Sequence, residues 1–310
     1  MTVRLLRRAL GASCWFAWVS LLPASAWACS VCGCGDPLVQ AGDSAPQPGA
    51  LRLSLDAEYL DASAASDDDP SATESLTQLT LRPTVVYSPV AALNLVLQIP
   101  FERKAWSLRG PDGTEAASPT GLGDLDLGAR WFVFQHTSLA SRSRTELATT
   151  FGTSLPTGST SAASDDGERI DDHAQLGTGS FGPYAGLLVA HHTAAWTWTG
   201  SISGRAHSTN SYDYHYGGAL LWSASGQYLF TPHLALGLGA LGRYAQKDRA
   251  GDELLANTGG FVLSAQPTVS YGVSDAWWLN LRAQVPVATH LFGEQHVGPV
   301  VTLGVQYSPN

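Results

Sequence analysis

The stretch Leu51-Arg52-Leu53-Ser54-Leu55-Asp56-Ala57-Glu58-Tyr59 (LRLSLDAEY) puts an apolar residue at every odd position and a polar or charged one at every even position. Successive side chains of an extended chain point to opposite faces, so this stretch predicts a strand with one apolar and one charged face. The period recurs downstream. Leu79, Leu81, Val85 and Tyr87 alternate with Gln78, Thr80, Arg82 and Thr84, and Leu125, Leu127, Ala129 and Trp131 alternate with Asp124, Asp126 and Arg130. Further stretches at 93–102, 145–155, 181–190, 196–206, 220–230, 234–244, 261–271, 277–287 and 297–307 bring the number to about twelve, an even number as a closed bacterial barrel has.

Charge and connection length separate a barrel in lipid from a soluble sandwich. Arg52, Asp56, Glu58, Arg82, Glu102, Asp124, Asp126, Arg130, Glu146, Arg205, Arg243 and Arg282 all fall on the face opposite the apolar one. Alternation alone fits both architectures, because a sandwich also has a polar and an apolar face. The links alternate in length. Long ones span 62–75, 103–120, 156–180, 207–217, 245–259 and 288–296; short ones span 88–92, 136–143, 191–195, 230–233 and 272–276. Long outer loops and short periplasmic turns mark a transmembrane β-barrel. Aromatic residues such as Tyr59, Tyr87, Trp131, Trp196, Tyr271, Trp277 and Tyr307 fall near strand ends, where the two membrane interfaces would lie. The expectation is an all-β transmembrane antiparallel barrel over 50–310, with Leu53, Leu81, Leu97, Leu127 and Leu303 against lipid. Thr80, Thr302 and the charged set then face the lumen.

The amino end fits export. Arg4, Arg7 and Arg8 precede an apolar run, and small residues follow at Ala26 and Ala28, so 1–28 reads as a secretory signal peptide. Its removal takes three of the 17 basic residues and none of the 26 acidic ones, leaving a net charge of −12. Such an acidic chain has no electrostatic footprint for nucleic acid. Its expected surroundings are the lipid of a Gram-negative outer membrane and a small-molecule solute, with the tail in the periplasm and any periplasmic partner unidentified.

Residues 29–49 form a Cys-containing tail and a linker rich in Pro, Gly and Ser. Cys29, Cys32 and Cys34 can wrap one soft ion, Cu(I) or Zn(II), with a fourth ligand from Asp36 or from a turn histidine, His136, His191, His192 or His233. A disulfide that leaves one thiol over competes with this. Acylation of Cys29 is a third reading, against which Ala26 and bulky Trp27 make a poor lipid-attachment signal. The glycines of GLGD and GTGS precede no helix pattern, so they read as sites of close strand approach and not as phosphate loops. No motif pairs a nucleophile with a base, and no enzyme is expected.

GLGDLDLGARW (Gly121–Trp131), TSLPTG (Thr153–Gly158), LGTGS (Leu176–Ser180) and the segment from TGGFVLSAQPTVSYGVSDAWW onward resemble the outer-membrane proteins named for the meta-pathway of phenol degradation. The resemblance implies an outer-membrane barrel that passes small, often apolar or aromatic, compounds, and it carries over no catalytic residues. The function expected is therefore a porin-like passive channel or transporter. The rival is a metal-binding or redox protein that uses the barrel only as an anchor.

Overall fold

Strand alternation becomes a closed barrel in the computed structural model, which describes residues 47–67, 71–111 and 113–309. The signal-like segment and Cys29, Cys32, Cys34 and Asp36 lie outside the described residues. In chain order the strands are β1 (Leu51–Ala65), β2 (Thr73–Val90), β3 (Leu93–Gln98), β4 (Phe101–Gly110), β5 (Gly113–Ala117), β6 (Thr120–Leu122), β7 (Leu125–Ser138), β8 (Ser143–Leu155), β9 (Gly182–His192) and β10 (Trp196–Arg205). They continue with β11 (Tyr214–His215), β12 (Ala219–Thr231), β13 (Leu234–Ala245), β14 (Arg249–Ala250), β15 (Glu253–Leu254), β16 (Gly260–Gly272), β17 (Trp277–Leu291), β18 (Gln295–Val297) and β19 (Val300–Tyr307).

Three staves of the barrel are interrupted strands: β3 with β4, β5 and β6 with β7, and β18 with β19. Counted so, twelve antiparallel staves run round the barrel, and β1 closes it by pairing with β19 from Leu53↔Tyr307 to Tyr59↔Val301. Closure pairs every edge, which is what hydrocarbon demands of a sheet. Short β11, β14 and β15 make a separate patch among the loops.

The two faces separate as the alternation predicts. Leu53, Leu81, Leu127 and Leu303 are exposed on the outside, whereas Thr80, Thr302, Arg52, Glu58, Arg82, Arg130 and Glu146 are buried inside. Leu97 keeps the same outward parity and is half-buried. Aromatic clusters gather at the short-turn end: Trp196 stacks on Trp198 with centroids 5.1 Å apart, and Trp277 lies 4.7 Å from Tyr307.

Three details depart from simple period-two reading. The span 103–120, expected as a loop, is mostly the tall hairpin of β4 and β5, because its residues find ladder partners on each other and on β2. The stretch 93–102 is one stave broken at Ile99 and Pro100, since proline has no N–H to give the ladder. Across that break the register slips by one, from Gln98↔Asp126 to Phe101↔Leu122. The extra residue bulges the wall at Gly123 and Asp124, and so Asp124 is not a strand residue. A second bulge between Phe132 and Phe134 lets one ring pack inside and the other face out.

Candidate functional site

The inner wall sorts charge against the composition of the chain. Inward-facing cations are Arg52, Arg82, Lys104, Arg130, Arg144, Arg205, Arg243 and Arg282; inward-facing carboxylates are Asp56, Glu58, Glu74, Glu102, Asp126 and Glu146. Among the described residues, eight of 14 basic side chains but only six of 21 acidic ones thus point inward from the strands. The sequence reading names eleven of this set. It misses Lys104, Arg144 and Glu74, whose parity was visible but whose strands reach further than the hydrophobic pattern.

Half of this wall is packed shut. From β1 to β9 the inner side chains are long and interlocked: Arg82 meets Glu58 at 3.4 Å, Arg144 meets Glu146 at 3.1 Å, and Arg130 and Glu146 are 1% and 0% exposed. His192 Nε2 adds a contact to Glu146 at 3.6 Å, while His191 Nδ1 bonds the Thr145 hydroxyl at 2.8 Å. These two histidines, named as metal-ligand candidates, are therefore built into the barrel wall. His136, expected on a short turn, is an exposed residue of β7 opposite Thr145, and His233 is exposed in its short turn.

Three neighbouring staves on the other side carry small groups. Thr199, Ser201, Ser223, Ser225, Gly237 and Gly239 face inward from β10, β12 and β13, and all stay half-buried in solvent contact. Their hydroxyls pair across strands, with Thr199 2.6 Å from Ser225 and Ser201 2.8 Å from Ser223. Short side chains on one arc of a barrel leave room along that arc. The arrangement is a row of small polar groups, the corridor, beside a filled half.

The loop from β8 to β9 folds into the long-loop end and crosses this corridor's mouth. At its base the Asp124 carboxylate accepts from the amides of Gly158 (2.9 Å) and Thr178 (2.8 Å) and from the Thr178 hydroxyl (2.6 Å). Gly158 and Gly177 touch there: a Cβ on Gly158 would stand 2.6 Å from the Gly177 Cα, so neither tolerates a side chain. Asp124 faces the interior as expected, yet its partners are loop donors and not wall arginines. Farther along, Ile170 and Ala174 pack on Leu76 of β2 and Trp106 of β4.

The tip of this loop is a single 3-10 turn, Asp172–Ala174, which divides two cavities. A chamber of about 250 Å³ lies on the barrel side and a vestibule of about 410 Å³ on the outer side; Leu76, Asp172 and His173 line both. Four chain segments hold the turn. Lys104 Nζ donates to the carbonyls of His173 (3.1 Å) and Gln175 (2.5 Å), and Tyr216 Oη donates to the Asp172 carbonyl at 3.0 Å. Arg169 grips the Asp172 carboxylate with two bonds of 2.9 and 2.8 Å. His173 Nε2 lies 2.6 Å from Asp248 Oδ2, which also accepts from Tyr214 Oη at 2.9 Å.

Electrostatics favour the charged form of this last pair. Burial pulls the His173 imidazole down, but the hydrogen bond and charge of Asp248 outweigh it and raise it to about 9. Burial likewise pushes Asp248 up, and the His173 contacts with the Gly217 amide and Tyr214 hydroxyl bring it below its ordinary value. The neighbouring His207 behaves in the opposite way: burial, then the charges of Arg205 and Arg243, hold it down to about 4 and so neutral.

The chain matches no family model and no curated protein sequence. Among solved structures it is similar to the COG4313 outer membrane channel from Pseudomonas putida F1, with 14% identity, 85% of this chain and 96% of that chain covered, and a TM-score of 0.62. It is also similar to the translocator domain of the autotransporter NalP from Neisseria meningitidis, with 12% identity, 87% and 92% covered, and a TM-score of 0.47. For the CymD monoaromatic hydrocarbon channel the values are 10% identity, 91% and 99% covered, and 0.43. The first of these likenesses, joined to the closed sheet and its apolar exterior, establishes the fold as that of an outer-membrane β-barrel.

Proposed function

We propose that this chain is an outer-membrane channel for small solutes, with the inward-folded β8–β9 loop as its constriction. The observation that carries the reading is the row of small inward hydroxyls, Thr199, Ser201, Ser223 and Ser225, on the same staves as Ser203 and Leu221 of the chamber lining. A barrel serving only as an anchor has no need for such a corridor. The resemblance of the GLGD, LPTG and LGTGS motifs to the phenol meta-pathway proteins supports a small solute with apolar or aromatic character. Binding of a soft metal by Cys29, Cys32 and Cys34 is a separate proposal that rests on the thiol spacing alone.

The test is conductance in a planar bilayer, with liposome uptake of small solutes alongside. Purified protein is expected to give discrete conductance steps. Replacing Ser225 with Trp is expected to shrink the steps while the barrel still folds, because the indole would fill the corridor. A folded protein that neither conducts nor admits any solute would remove the channel reading.

A further inference from the structure

At the short-turn end the hairpin of β7 and β8 outreaches its neighbour. β7 pairs with β3 from Gln98↔Asp126 to Leu93↔Trp131, after which Phe132 N donates to the Ala92 carbonyl at 2.8 Å and Gln135 Nε2 to the Ala91 carbonyl at 3.1 Å. Those carbonyls belong to the turn that joins β2 to β3, whereas β7 runs on to Ser138 with β8 beside it. On the other flank β8 stays covered by β9 as far as Arg144↔His192. Among the described residues, no strand pairs the β3-side edge of residues 133–138.

This edge lies outside the hydrocarbon, where an unpaired backbone is tolerated: Gln135, His136, Thr137, Ser141 and Arg142 are polar and exposed. Proteins blunt such edges with proline or charge, yet Val133-Phe134-Gln135-His136-Thr137-Ser138 holds no proline, lysine or carboxylate. Phe134 is 52% exposed beside it, and Leu139 at the hairpin tip is 89% exposed. An unblunted edge with apolar neighbours is a template for an added strand.

The described chain begins beside this edge. Gly49 N donates to the Ser88 carbonyl at 2.8 Å and Ser88 N to the Ala50 carbonyl at 2.9 Å, so the chain enters β1 at the turn that also touches β7. Upstream, Leu38-Val39-Gln40-Ala41-Gly42-Asp43-Ser44-Ala45 is a proline-free run between Pro37 and Pro46. Proline has no N–H, so the two prolines bound the stretch that can give a ladder its donors. Eight extended residues reach about 26 Å at ~3.3 Å each, enough to cover a six-residue edge of ~20 Å. Charge agrees. Residues 36–46 carry Asp36 and Asp43 and no basic residue, whereas 133–144 carry Arg142 and Arg144, the latter also paired to Glu146, and no acidic one.

We propose that residues 38–45 of this chain add to the open edge of β7 as one more strand. Its direction follows from the anchor: the run ends beside the β2–β3 turn, so it comes from the hairpin tip and lies antiparallel to β7. The Cys29, Cys32 and Cys34 segment then stands off that tip, near Leu139, at a fixed place on the periplasmic rim. The added strand lies outside the lumen and does not depend on whether the barrel conducts.

Amide hydrogen exchange of the mature protein, folded in detergent with its thiols reduced, reads the edge directly. On an open edge the amides that point away from β8 exchange freely, and an added strand protects them. The wild type is expected to show protection throughout 133–138. Removing residues 29–45 is expected to speed the amides that point away from β8 by about tenfold or more, with the 230–233 turn unchanged. Val39→Pro combined with Gln40→Pro is expected to do the same, because one of two neighbouring N–H groups must face β7 in a ladder. A synthetic peptide of residues 36–46, added to the shortened protein, is expected to restore protection. Free exchange at the wild-type edge would overturn the proposal by itself, without recourse to a variant. Protection that persists in the shortened protein would also overturn it, and a dimer mass in light scattering would then assign the edge to a second copy.

Discussion

Asp124 and Thr178 stand 54 residues apart in the chain and are joined by two hydrogen bonds, from the Thr178 amide at 2.8 Å and from its hydroxyl at 2.6 Å, both to Oδ2. The other carboxylate oxygen takes the Gly158 amide at 2.9 Å. Three glycine-containing motifs that look unrelated in the sequence thus meet at one carboxylate. Their common task is to start and finish the loop that enters the barrel.

Asp124→Asn keeps the size of the side chain but turns one acceptor oxygen into a donor facing donors. Each hydrogen bond to a charged group is worth about 1.5–3 kcal/mol, so the loop base is expected to lose roughly that much stability. Amide hydrogen exchange at Gly158 and Thr178 should speed up by about tenfold or more, and mean conductance should rise. Unchanged exchange at both amides would mean the loop is held without Asp124.

The His173–Asp248 pair gives the constriction a pH window. His173 is raised to about 9, so its contribution is complete below its ordinary 6.5 and is lost as pH climbs through about 9. Asp248 is lowered, so its contribution is complete above its ordinary 3.8 and fades as pH falls through its lower folded value. Conductance is therefore expected to be lowest between these limits and to rise on the alkaline side. In His173→Gln the alkaline step should vanish, which a pH series of single-channel records would reveal.

Leu81 and Leu303 lie in one row across β2, β1 and β19, joined through Ala57. Both are exposed on the outer face. Arginine at either is expected to cost about 2–4 kcal/mol near the bilayer midplane, measured by denaturant unfolding in lipid vesicles. Gln227→Arg, on the half-buried corridor side, should cost little. Equal losses at the two kinds of site would contradict the placement of the apolar face in lipid.

For the tail, a reduced peptide spanning residues 29–37 is expected to bind one Cu(I), and Cys32→Ser should weaken binding sharply if the three thiols act together. Mass spectrometry of the mature protein checks the competing chemistry. A diacylglycerol on Cys29, or no more soft-metal uptake than a cysteine-free peptide, would end the metal proposal.

The lining of the barrel was legible in one dimension because strand parity is a local property. Once LRLSLDAEY is extended, Arg52, Asp56 and Glu58 must share a face whatever follows, and the outer leucines must share the other. The alternating lengths of the links likewise told which end carries the large loops. The bulge at Gly123 and Asp124 was not legible, because a register slip depends on two neighbouring staves and not on either one's period.

What the sequence by itself determined is the closed barrel, its twelve staves, and the side of the wall on which most of its charges fall, since each follows from period two and from the need to pair every backbone group in lipid. The tertiary structure decided that charges interlock along one side of the wall and hydroxyls pair along another, that the 156–180 loop turns inward, and that Lys104, His173 and Asp248 hold it there. Those contacts join residues 69 and 75 positions apart. Hydrogen bonds across such distances are chosen by three-dimensional proximity, which no local pattern encodes.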